Sequence, residues 1–214
     1  MGKILTLHDP RSARAHYLSG VWRQDTMYSL LSKHAAERGS AFALRDSSRR
    51  LAWSEVLARV DRVAHDLDQA GLSDGDRVSV WLPNRVEAAI VFLACSRGGY
   101  VCNPSLHQNY TVDEIAVLLE SIDCAALFAQ TAYGADAVGH EIFERARRLS
   151  SMRAVYALTA PGDPDLLPAG TLPFPEGTPP EGCRPARSDP DEVVYLAFTS
   201  GTTGKPKCVM HSDN

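Results

Sequence analysis

Apolar residues along the chain switch repeatedly between two periods, and the switches mark out its elements. Leu30, Leu31 and Ala35 share one side of a predicted helix over Met27–Arg38, with Gly39 as its stop. AFALRD, SSRR and LAWSE predict two short strands around a polar turn. Val56, Val60, Val63 and Leu67 recur at helical spacing, and Gly71 closes that helix. RVSVWLP then predicts a strand, and the helix after it has Asn84 as its cap with Glu87 three residues on, a capping-box arrangement. YVCNP predicts the next strand. Thr111 and Glu114 repeat the cap ahead of Ile115, Leu118 and Leu119. CAALFA predicts a third strand, 135–149 a further helix, and MRAVYAL a fourth strand. Strands alternating with helices imply βαβ crossovers and a mostly parallel sheet with flanking helices, an α/β fold.

Two stretches depart from that rhythm. Residues 1–25 show no clear period and are expected to wrap an outer surface as an N-terminal extension. Nine of the thirteen prolines fall in 160–190, mixed with Gly, Asp and Glu, which predicts a loop rather than a packed element. The division expected is an extension over 1–25, an α/β subdomain over 26–159, the Pro-rich loop over 160–190, and a strand, loop and following strand over 191–214.

Composition narrows the class. With 214 residues, 44% of them hydrophobic, the chain can bury a sizeable core. The net charge of -4 is spread without runs, which argues against nucleic acid or an anionic membrane surface as partner. The longest strongly apolar stretch, AAIVFLAC, is far short of the roughly 20 residues that span a bilayer, and the opening residues lack a signal-peptide apolar run. Five cysteines with no CxxC pair fit a reducing compartment, and a cytoplasmic location is expected.

The chemistry is concentrated near the end of the chain. EVVYLAF, a β-prone run, leads directly into Thr199, Ser200, Gly201, Thr202, Thr203, Gly204, Lys205, Pro206 and Lys207. Four hydroxyls, two glycines and two lysines lie within nine residues. Gly201 and Gly204 permit a backbone whose N–H groups point into one concavity, and the hydroxyls and lysines add donors and charge. Such a loop suits a polyphosphate. The spacing is not GxxxxGK[ST], and CVMH after Lys207 predicts another strand, so the loop is expected to join a hairpin rather than open a helix.

Other candidates are weaker. Cys208 and His211 form a C-x-x-H pair with no second pair at metal spacing. His34 and His65 are expected to be ordinary helix residues, His107 a loop residue, and Trp53 and Trp81 core residues of strands. No residue is assigned a catalytic or metal-binding role.

The string from Phe198 to Val209 resembles the signature [ST]-S-G-[ST]-T-G-x-P-K-G-V of the adenylate-forming superfamily, which includes acyl-CoA synthetases, amino-acid adenylation domains and firefly luciferase. DGDRVSVWLPN, NRVEAAIVFLACSRGGYVCNP and TVDEIAVLLESIDCAALF resemble further landmarks in the family's order, so the resemblance covers about 26–214. VMHSDN and the Asn103-Pro104 pair look most like acyl-CoA ligases. The resemblance implies an N-terminal part of an acid–thiol ligase that uses ATP with Mg2+ to convert a small carboxylic acid to its acyl-adenylate and passes the acyl group to coenzyme A. It implies phosphate contacts from Thr199, Ser200, Gly201, Thr202, Thr203, Gly204 and Lys207, with Lys205 at a variable position. The family's adenine and acyl pockets, its Mg2+-binding glutamate and its catalytic lysine lie beyond Asn214, so this stretch alone is expected to be inactive. The alternatives are an adenylation domain that loads a carrier protein, and a non-catalytic module that binds nucleotide or a partner chain. Two positions depart from the pattern: Cys208 stands for a glycine, which predicts strain if that site needs a positive φ, and Asp213 stands where many members carry a second histidine.

Overall fold

A computed structural model describes residues 9–136, 141–160, 162–163, 166–199 and 207–214. The extension is not featureless. Its residues Pro10–Leu18 form helix α1, with the Asp9 carboxylate accepting from the Arg11 and Ser12 amides and Pro10 at the first helical position. Helix α2, Met27–Arg38, follows a Thr26 cap. Strands β1 (Phe42–Arg45) and β2 (Arg50–Ala52) pair as an antiparallel hairpin. The second strand stops earlier than the sequence predicts, because Trp53 already begins helix α3, Trp53–Gln69. There the Glu55 carboxylate reaches back to the Ala52 amide at 2.7 Å, satisfying an orphan donor of the first turn. Trp53 is therefore a half-buried helix residue, with His34 against its ring at 4.8 Å, and not a strand core residue.

Strand β3 (Arg77–Trp81), helix α4 (Val86–Gly98), strand β4 (Val101–Asn103), helix α5 (Val112–Ser121) and strand β5 (Cys124–Gln130) follow the predicted alternation. Gly99 ends α4 at φ 75°, a left-handed conformation that a side chain would strain. Helix α6 covers only Ile142–Arg147, shorter than the 135–149 expected; Ala135 and Asp136 lie in a turn and 137–140 lie outside the described residues. Strand β6 is Ala154–Leu158. The Pro-rich stretch is more than a loop: Leu172–Pro173 form a short strand β7 against β6, and Phe174 is buried against Phe128 at 5.9 Å. Pro173 is tolerated there because β7 is an edge. Strands β8 (Val193–Thr199) and β9 (Lys207–Ser212) complete a seven-stranded sheet of order β7-β6-β5-β3-β4-β8-β9, parallel except for β8–β9.

The sheet is covered on both faces. Val60, Val63 and Leu67 of α3 and Ile90 and Val91 of α4 pack on Val78, Val80, Phe128 and Tyr156. Ile115 and Leu119 of α5 with Phe143 and Ala146 of α6 pack on Trp81, Leu127 and Val155. Successive residues of β6 alternate between the two layers, as the period of two requires. Each fully buried Val or Leu contributes about 1.5–3 kcal/mol. Because α4 and α5 lie on opposite faces, the segments leaving β3 and β4 diverge at the carboxyl ends of those strands. Open α/β sheets bind ligands at such points.

Candidate active site

At that divergence, short side chains link β3, β4 and β8. The Asn103 amide donates to Ser79 Oγ at 3.4 Å, Ser105 Oγ donates to Asn103 Oδ1 at 3.1 Å, and the Phe198 amide donates to Ser105 Oγ at 3.1 Å. Ser79 and Asn103 are wholly buried, so each needs its partner. Cys124 Sγ lies 3.2 Å from Ser79 Oγ, and burial pushes its thiol up to about 11, which keeps it a neutral donor. The reason for Ser105 is geometric. Strand β4 ends at Asn103, so the last part of β8 has outrun its parallel neighbour, and a hydroxyl takes the Phe198 N–H that β4 no longer accepts.

From this root β8 and β9 run side by side, with Phe198 opposite Cys208 and Thr199 opposite Lys207. Thr199 Oγ1 donates to the Lys207 carbonyl at 3.4 Å, and both residues are exposed. Of the predicted phosphate-loop residues, the structure thus brings Thr199 and Lys207 together. Ser200, Gly201, Thr202, Thr203 and Gly204 lie outside the described residues, as do Lys205 and Pro206.

The other end of the hairpin is anchored. The Asp213 side chain is buried, forms an ion pair with Arg187, and accepts the Met27 amide at 3.2 Å. Burial pushes its carboxyl above the usual range, outweighing Arg187 and the Met27 amide. Asp213 is thus a tie between β9, the end of the Pro-rich stretch and the start of α2. Asn214 continues it, donating to Tyr17 Oη of α1 and to Asp191, each at 2.8 Å.

Other expectations fall out differently. Cys208 lies in an extended, exposed strand, and among the described residues only Asp123 and Ala132 are non-glycine residues with positive φ, so the feared backbone strain is absent at Cys208. Cys208 and His211 are three apart on a strand and point to opposite faces, so they do not form a site together. His107 is exposed, but its carbonyl accepts Trp81 Nε1 at 3.1 Å, a backbone role in seating the buried Trp81. His34 and His65 are half-buried helix residues, as expected.

Asn84 does not cap α4. The cap residue is Arg85, and the Val86 amide is accepted by Asp46 from the β1–β2 turn at 3.0 Å. Burial would raise the Asp46 carboxyl, but the amides of Val86, Ser48 and Arg49 and the Ser48 hydroxyl hold it far below the carboxylate range. Glu87, freed from capping, is buried, accepts from Arg85 at 2.8 and 3.0 Å and forms an ion pair with Arg49 at 3.0 Å. These long-range roles of Asp46, Ser105 and Arg49 carry no local sequence signal beyond the short polar strings around them.

The AMP-binding enzyme family model matches residues 31–214, six-sevenths of the chain. This chain belongs to the AMP-binding enzyme family. It is 26% identical over 216 aligned positions to an acetyl-coenzyme A synthetase of Xanthobacter autotrophicus, covering 92% of this chain and 33% of the relative. It is 31% identical over 182 positions to a 4-hydroxybenzoate–CoA/benzoate–CoA ligase of Rhodopseudomonas palustris, covering 85% and 32%. Among solved structures, MbtA of Mycobacterium smegmatis superposes with a TM-score of 0.71 at 26% identity, over 97% of this chain and 37% of that one. The anthranilate CoA ligase AuaEII superposes at 0.75 with 18% identity, over 91% and 36%, a likeness of fold. The chain therefore spans about a third of the curated relatives it matches. The expected adenylate-forming membership and the mostly parallel α/β architecture both hold. No helix among the described residues is long and apolar enough to cross a membrane.

Proposed function

We propose that this chain supplies the phosphate-gripping hairpin of an ATP-dependent acid–thiol ligase. The observation that carries the reading is the rung that sets Thr199 opposite Lys207 at the carboxyl edge of the sheet, in a member of the AMP-binding enzyme family. Thr199, Ser200, Gly201, Thr202, Thr203, Gly204 and Lys207 contact the β- and γ-phosphates in this reading, which assigns no phosphate contact to Lys205. Hydroxyl and ammonium donors fit a polyphosphate, and their work is positioning and charge stabilisation. An oxygen of the carboxylic acid attacks the α-phosphorus, pyrophosphate leaves, and the thiol sulfur of coenzyme A then displaces AMP from the acyl carbon. Mg2+ belongs to the ATP complex; among the described residues no three His, Cys, Asp or Glu side chains cluster to hold a metal.

Coenzyme A is the proposed acceptor because both curated relatives named above are CoA ligases. The same reading places the protein in the cytoplasm, keeps the division at 26–159, 160–190 and 191–214, and holds this stretch inactive without the segments its relatives carry. The test is ATP–pyrophosphate exchange by the whole protein with a panel of carboxylic acids. Exchange that requires an added acid, followed by thioester formation with free coenzyme A, supports the reading. Exchange without any acid overturns it, and transfer only to a carrier-protein thiol would replace the acceptor.

A further inference from the structure

A cleft lies away from the hairpin, in the sheet half that contains β7, and the proposed function makes no use of it. It is an open cleft of about 290 Å³ between the end of β6 and the Pro-rich stretch, with Leu158, Leu167 and Phe174 among its apolar walls and Arg49, Arg85 and Glu176 among its polar ones. Phe174 packs edge-on to Phe128, which stacks on Tyr156 at 4.3 Å and 4°, so one wall rests on a rigid aromatic column.

The charges there are unevenly committed. Arg85 is fully used: it donates to both oxygens of Glu87, to Gln130 Oε1 at 2.8 Å and to the Thr159 carbonyl at 3.0 Å. Asp46 commits its carboxylate to the Ser48, Arg49 and Val86 amides. Arg49, which also pairs with Glu87 at 3.0 Å, and Arg59 share Glu176, whose two oxygens lie 3.3 Å from Arg49 and 2.5 Å from Arg59. The Glu176 side chain is 50% exposed, so its ion pairs are the screened, weak kind. With Glu176 swung away, Arg59, which lies beside the cleft, loses its carboxylate partner, and Arg49 keeps only Glu87.

We propose that this cavity is a binding site for a small monocarboxylate with an apolar body, and that Glu176 is the internal carboxylate such a ligand displaces. The ligand carboxylate takes over Arg49 and Arg59, and its apolar part lies against Leu158, Leu167 and Phe174. A cavity near the lower end of ligand-pocket sizes admits an aromatic or branched short-chain acid and not a nucleotide.

The test is calorimetric titration of the chain with benzoate at fixed ionic strength, with inorganic phosphate as the anion lacking an apolar body. Glu176→Gln removes the competitor and is expected to tighten benzoate binding about tenfold, whereas Arg59→Gln is expected to weaken it by at least that factor. Lys207→Ala serves as the control and leaves benzoate binding unchanged, which separates this site from the hairpin. Near-ultraviolet circular dichroism confirms that each variant is folded. Equal benzoate affinities in the unaltered chain and Glu176→Gln, or phosphate binding as tight as benzoate, would overturn the proposal. So would benzoate binding that is lost with Lys207 and indifferent to Arg59.

Discussion

Thr199 and Lys207 occupy facing positions on the last rung of the β8–β9 pair, where the threonine hydroxyl donates to the lysine carbonyl at 3.4 Å. That rung sets where the intervening loop leaves and re-enters the sheet, and it carries one hydroxyl and one ammonium to the same edge. Lys207→Ala removes the ammonium and leaves the backbone pairing intact. Acid-dependent ATP–pyrophosphate exchange by the whole protein is expected to fall about 100-fold, the scale of losing one charge-stabilising donor. The unfolding free energy from urea titration is expected to stay within about 0.5 kcal/mol of the parent, since Lys207 is exposed. Unchanged exchange would remove Lys207 from the site.

Ser105 acts on the same rung from below. Its hydroxyl accepts the Phe198 amide and donates to Asn103, so Ser105→Ala leaves a half-buried N–H and a buried carbonyl oxygen short of partners. The expected loss is about 1–3 kcal/mol, read as a lower urea midpoint at unchanged slope. A variant with the stability of the parent would show that water replaces the hydroxyl.

The contrast between those two residues marks how far the sequence could be read. Elements set by periodicity were legible: Val56, Val60, Val63 and Leu67 lie on the buried side of α3, Thr111 and Glu114 cap α5, and the apolar runs became sheet strands. The hairpin around 199–207 was legible because two β-prone runs flank the loop. What escaped were choices made by distant partners. Asn84 looked like a cap, but Asp46 reaches the Val86 amide from another element. Trp53 fits a strand by propensity, yet the Glu55 bond to Ala52 starts the helix there. Phe174 and β7 were hidden among prolines, because their burial depends on Phe128 and Tyr156 across the sheet.

Glu87 and Asp213 are both buried acids with arginine partners, and their shifts have opposite signs. Burial opposes ionisation of Glu87, but Arg85 and Arg49 overcome it and its carboxyl is lowered; at Asp213 burial prevails over Arg187 and it is raised. A depressed carboxyl contributes stability that is present above its unfolded pKa of about 4.3 and lost as pH falls through the folded value. Asp213 works in reverse, favouring the fold as pH falls toward the unfolded pKa of about 3.9. Glu87→Gln is therefore expected to cost about 3–5 kcal/mol at pH 7, by leaving Arg85 buried without its counter-charge, and to flatten the acid limb below pH 4.5. Asp213→Asn keeps an acceptor for the Met27 amide and is expected to cost less than half as much. Urea titrations between pH 3.5 and 7 check both, and equal costs at pH 7 would refute the contrast.

Gly134 bears on Trp81. A Cβ at residue 134 would lie 2.6 Å from two ring carbons of this fully buried tryptophan, and the backbone there has φ 141°. The indole cannot retreat without giving up its bond to the His107 carbonyl. Gly134→Ala is expected to cost about 1–3 kcal/mol from overpacking and backbone strain together. Tryptophan emission is expected to shift to longer wavelength as Trp81 meets water. A variant with parental stability and emission would mean that this segment moves aside freely.

Cys208 is the residue whose replacement by the family's glycine looks, from sequence alone, like a repair. The strand geometry argues the opposite. Cys208 pairs with Phe198 in an extended, exposed strand, where glycine gains nothing from its conformational freedom and loses the most entropy on folding. Cys208→Gly is expected to destabilise the chain by about 0.5–1 kcal/mol, and Cys208→Val to be neutral or slightly stabilising because β-branched residues suit a strand. Thermal melts of the two variants under reducing conditions decide it. A Gly variant that melts above the parent would mean that residue 208 is held under strain.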